Sequence, residues 1–69
     1  MNIYLMETVL YEDRSLYSSF KVRTYEEARK RAYLRLSQKD VRGVNLWKQD
    51  GVDWRWVDSW NMEVEEACT

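Results

Sequence analysis

The chain has 69 residues, with 11 basic and 12 acidic side chains, one Cys, no His and no Pro. That length makes one small domain with a modest buried fraction. A net charge of −1 at pH 7 excludes a global field drawing it to nucleic acid, although a local basic patch stays open.

One Cys and no His exclude an internal disulfide and a structural zinc site, so stability must come from packing. The supply is rich in rings: four Trp, five Tyr and one Phe. Each large ring buries about 150–250 Å². Either a few of them carry the core, or homodimerisation supplies the remaining burial. The N-terminus lacks a basic region followed by an apolar run, and no stretch approaches the roughly 18 apolar residues of a membrane span. With one thiol, this predicts a cytoplasmic protein.

Ile3 to Tyr11 is rich in aliphatic and aromatic residues on both faces, which predicts a central strand covered on both sides. Glu12-Asp13-Arg14-Ser15 is a polar turn. Leu16 to Arg23 then alternates, with Leu16, Ser18, Phe20 and Val22 on one side and Tyr17, Ser19, Lys21 and Arg23 on the other. This is a second strand, antiparallel to the first.

Thr24-Tyr25-Glu26-Glu27 is a capping box: Thr24 can accept the orphan amide of Glu27, and Glu27 can reach back. Acids at 26 and 27 also suit the positive end of the helix dipole. The helix is predicted over Tyr25 to Ser37, with Tyr25, Ala28, Ala32 and Leu36 on one stripe. Arg29 and Arg35 flank the stripe, Tyr33 sits at its edge, and Glu27, Lys30, Arg31 and Leu34 point away.

Gln38 to Arg42 reads as a connector, Gly43 as a bulge or bend, and Val44 to Lys48 as a third strand. Asp50-Gly51 is a hairpin signal. From Val52 to Val64 the even positions are mainly apolar and carry Trp54, Trp56 and Trp60, while the odd positions are mainly polar. This is a fourth strand, long enough that a break is expected near Asp58-Ser59, where the apolar face is interrupted. Glu63 to Thr69 is an acidic tail expected to fray. The order strand, strand, helix, strand, strand predicts a single α+β domain over 1–69, an antiparallel sheet of about four strands with one helix on one face.

Two hairpin registers follow from the turn chemistry. A two-residue Asp50-Gly51 turn puts Trp47, Trp54 and Trp56 on one face. A three-residue Gln49-Asp50-Gly51 loop groups Val44, Leu46, Trp54 and Trp56, and leaves Trp47, Arg55 and Val57 opposite. A one-residue slip exchanges the faces. The three-residue loop is the expected one, since both faces then make chemical sense.

No catalytic constellation is expected. There is no His to act as a base near neutral pH. Cys68 stands among acids that oppose thiolate formation. The carboxylates at Asp53 and Asp58, and at Glu63, Glu65 and Glu66, read as solvated faces. No phosphate-binding Gly loop or calcium-loop spacing occurs, so neither a cofactor nor a metal is expected.

Two candidate contact groups remain. On the helix, Arg29, Lys30, Arg31 and Arg35 surround Leu34. They suit phosphates or an acidic protein surface; the blander reading pairs Glu26 and Glu27 with Lys30 and Arg31. On the sheet, Trp47 and Arg55 suit a protein hot spot or base stacking. The acids around that sheet favour a protein partner over a nucleic-acid backbone.

The segment Phe20-Lys21-Val22-Arg23-Thr24-Tyr25-Glu26-Glu27-Ala28-Arg29-Lys30-Arg31-Ala32, with the later Lys48-Gln49-Asp50-Gly51 turn and Arg55-Trp56-Val57-Asp58, resembles small phage-encoded anti-CRISPR proteins of type I-F in layout. The likeness covers about two thirds of the chain; any capped amphipathic helix beside a Trp hairpin shares its motifs. It implies a non-catalytic inhibitor in a bacterial host cytoplasm, seated on an RNA-guided surveillance complex and using Arg29, Lys30 and Arg31. The long Trp-rich last strand and acidic tail depart from that pattern, which leaves the specific target open. The alternatives are a structural or regulatory homodimer packed through its Trp-rich sheet, and a nucleic-acid-binding accessory protein.

Overall fold

A computed structural model describes residues 1–61. The expected acidic tail therefore lies outside the described residues, together with Cys68. The elements are β1 (Asn2–Leu10), β2 (Arg14–Val22), α1 (Tyr25–Leu36), β3 (Val41–Asp50) and β4 (Asp53–Asn61). They form one antiparallel sheet in the order β2-β1-β3-β4, with α1 packed on one face. This is the expected α+β arrangement.

The helix forms where the cap dictates. Thr24 is extended, and its Oγ1 accepts the amide of Glu27 at 3.3 Å. Ala28 and Ala32 are fully buried. Their small side chains let the helix backbone settle closely over β3 and β1. Beneath it lie Tyr4, Met6 and Thr8 of β1, Val22 of β2, and Val41, Val44 and Leu46 of β3. Burying an aliphatic side chain such as Leu46 contributes about 1.5–3 kcal/mol. The Tyr4 and Phe20 rings, cross-strand neighbours, stack with centroids 6.0 Å apart.

β1 is central, but only its even positions are covered. Ile3, Leu5, Glu7 and Val9 face away from the helix and remain half-buried, because no described element lies over that side. The expectation of cover on both faces is corrected: an apolar run on both faces does not supply a second layer. The third strand reaches further at both ends than the expected Val44 to Lys48, while the expected end of the fourth strand at Val64 lies outside the described residues. β3 starts at Val41, and the register shifts as Val9 pairs with Gly43 and Leu10 with Val41. Arg42 is thus the extra residue of a bulge beside Gly43.

The β3–β4 hairpin overturns the expected three-residue loop. Asp50 pairs with Asp53 around a two-residue Gly51-Val52 turn. Gly51 has φ +65° and Val52 is not among the positive-φ residues, the pattern of a turn with Gly first. Gly therefore occupies the first central position of the turn, one place earlier than the Asp50-Gly51 reading put it. Trp47, Trp54 and Trp56 consequently share one face, as they do in the other register.

β4 does not break near Asp58. A bulge absorbs the irregularity: Trp47 pairs with Trp56 and Leu46 with Asp58, leaving Val57 extra. The added residue exchanges the faces. Before it, Trp54 and Trp56 point away from the helix. After it, Asp58 and Trp60 point towards it, and Val57 and Trp60 pack on the core.

Candidate functional site

Two surfaces gather the candidate residues, one on each side of the sheet. The open face carries Leu5, Trp47 and Trp56 in one cross-strand row, with Trp54 beside them. Trp56 is 61% exposed and Trp54 42% exposed. Next to this row runs a polar one. Glu7 Oε2 accepts from the Tyr17 hydroxyl and Glu7 Oε1 from the Asn45 amide, each at 2.9 Å. The Asn45 bond is the main reason the Glu7 carboxyl is held below its ordinary pKa; burial opposes this, and hydrogen bonds from Tyr17 and Ser15 add to it. The same charge, through the hydrogen bond, pushes the Tyr17 phenol up. The carboxylate therefore spans β2, β1 and β3 as an anchored acceptor.

Arg55 does not join this face. It pairs with Lys48 on the helix side of the sheet and forms an ion pair with Asp50 at 2.7 Å. The expected grouping of Trp47 with Arg55 is thus separated by the sheet itself, as a consequence of the hairpin register. Sequence reasoning missed the other half of the open face: Leu5, Glu7, Tyr17 and Asn45. The signal that could have found it was the alternation in Ile3 to Leu10, in which the odd side carries the charge.

The helix cations divide by position. Arg29 is held by Glu26 at 2.6 Å and lies 5.6 Å from the Tyr33 ring centroid. Glu26 therefore pairs at i,i+3, not with Lys30. Lys30 is exposed. The Arg31 guanidinium lies over Phe20, 4.9 Å from its centroid. Arg35 is half-buried. Leu34 is 69% exposed between them.

Arg31, Leu34, Arg35 and Gln38 form one wall of a groove of about 320 Å³ whose floor and far wall are Met6, Ser18, Ser19 and Phe20. On the other side of the helix, Tyr33 meets Trp60 edge-on at 5.6 Å, closing that flank against β4. Among the described residues, no group of His, Cys, Asp and Glu could hold a metal ion, and no helix is long and apolar enough to cross a membrane.

The chain matches no protein-family model, no curated protein and no solved structure.

Proposed function

We propose that this chain is a non-catalytic binding module that occludes a macromolecular partner, with the open sheet face as its principal contact. One observation supports this: Trp47, Trp54 and Trp56 stand with Leu5 on a face that no described element covers. Trp anchors with few charges among them are the composition of protein contact centres. The polar Tyr17–Glu7–Asn45 row supplies fixed acceptors and donors at its border.

The partner class is a protein or ribonucleoprotein. The resemblance to type I-F anti-CRISPR proteins makes a CRISPR–Cas surveillance complex the first target to test. On that reading, Arg29, Lys30, Arg31 and Arg35 are a second contact, on the opposite side of the domain. Nucleic acid alone is the weaker partner, since the chain carries a net charge of −1.

The test is inhibition of target-DNA binding by a purified type I-F surveillance complex, together with direct binding to it. The Trp54→Ser/Trp56→Ser variant should bind at least about tenfold more weakly, a loss of about 1.4 kcal/mol. Lys30→Glu/Arg31→Glu should weaken it as well. Full inhibition by both variants would refute these contacts; no binding by the parent chain would refute this partner.

A second reading is favoured by the low charge of the same face: two copies can pack their open faces without repulsion. Sedimentation separates the readings. A dimer at micromolar concentration that Trp56→Ser converts to monomer supports self-association; a parent monomer excludes it.

A further inference from the structure

The two edges of the sheet are built differently. β4 carries a bulge at Val57, which twists an edge away from further pairing. β2 pairs with β1 in unbroken register from Asn2–Val22 to Leu10–Arg14, and its sequence contains no Pro. Its outer side pairs with no strand among the described residues. In such a strand every second residue turns its N–H and C=O outward, which is a template for another strand.

The groove described above runs beside this edge. A strand added next to β2 would place alternate side chains on the helix side, beneath Arg31, Leu34 and Arg35. Those walls are mixed: Met6, Phe20 and Leu34 are apolar, and Arg31 and Arg35 are cationic. Neither Arg31 nor Arg35 has a carboxylate partner among the described residues. Arg31 is also steadied on the Phe20 ring, so less freedom is lost when it meets an anion. No acidic side chain lines the groove.

The geometry points to the β2 edge and its groove as a docking site for an extended acidic peptide. The peptide adds a fifth strand. Its backbone supplies the ladder hydrogen bonds, and alternate side chains enter the groove, carboxylates towards Arg31 and Arg35 with an apolar side chain between Phe20 and Leu34. This surface is separate from the open Trp face but shares Arg31 and Arg35 with the second contact of the function proposed above; the peptide titration, made without that partner, tests the groove by itself.

The probe is a blocked seven-residue peptide with Glu, Leu and Glu at alternate positions and Thr at the others. Titrated into the full-length protein to millimolar concentration, it should protect β2 backbone amides from hydrogen exchange and leave β4 amides unchanged. Arg31→Glu/Arg35→Glu should weaken the peptide at least tenfold while preserving the circular dichroism spectrum, and replacing its Glu by Gln should weaken it similarly. A peptide N-methylated on the amides facing β2 should not bind. Four results overturn the proposal: no protection of β2 amides at millimolar peptide, affinity unchanged by the arginine variant, β2 amides already protected by a second copy without peptide, or protection by a short oligonucleotide in place of the peptide.

Discussion

The Tyr25 hydroxyl donates to Asp58 Oδ2 at 2.8 Å. This bond ties the first turn of the helix to the residue just past the β4 bulge. It exists because Val57 is extra: without that residue Asp58 would point to the opposite face. Tyr25→Phe should therefore cost about 1 kcal/mol at neutral pH, measured by urea denaturation. The phenol's pKa is raised, first by the hydrogen bond to Asp58 and then by burial. A raised folded-state pKa contributes stability fully below the unfolded value, about 10, and loses it as pH rises through the folded one. The gap between parent and Tyr25→Phe should thus be constant up to about pH 10 and close above it. A gap that stays open there would refute the assignment.

Glu7 predicts the acid limb. Its pKa is lowered, with the Asn45 hydrogen bond as the largest cause. A lowered folded-state pKa contributes above the unfolded value, about 4.3, and is lost as pH falls through the folded value. Glu7→Gln should destabilise the domain at pH 7, and the difference from the parent should begin to shrink as pH falls below about 4.3 and be lost below the folded-state pKa. Denaturation midpoints taken from pH 7 down to pH 3 check this; parallel curves throughout would mean that Glu7 does not carry the dependence.

Gly43 is a packing constraint where β3 runs close to β4. A Cβ built on it would meet the Trp60 carbonyl oxygen at 2.8 Å, a backbone atom that cannot swing aside. Gly43→Ala should cost about 1–3 kcal/mol through forced separation of the strands. Gly51→Ala tests a different cause, the φ of +65°, since space is open there. Calorimetry of the two variants should show a loss in each, with disturbed β4 amide shifts far from the turn only for Gly43→Ala.

Core and contact side chains should respond to truncation by very different amounts. Leu46 is fully buried, and Leu46→Ala should cost about 2–5 kcal/mol. Trp56 is mainly exposed, and Trp56→Ser should change stability by no more than about 0.5–1 kcal/mol. A loss from Trp56→Ser comparable to that from Leu46→Ala would place this ring in the core of the free protein and remove the case for a contact face.

What the chain determines by itself is local. Thr24 with Glu27 starts the helix, the spacing of Ala28 and Ala32 selects its buried stripe, and alternation in Leu16 to Val22 sets that strand's faces. These follow from capping, from the helical repeat and from the period of two, all of which act within a few residues. The division of the Trp residues required the tertiary structure. It rests on where Gly51 falls in its turn and on one inserted residue at Val57, and a shift of one position exchanges the faces. That shift is decided across the sheet, by Val44 and Leu46 seeking the helix and by Tyr25 and Tyr33 receiving Asp58 and Trp60. Nothing adjacent in sequence to Trp54 or Trp56 carries that information, because the groups that select the register lie on another strand and on the helix.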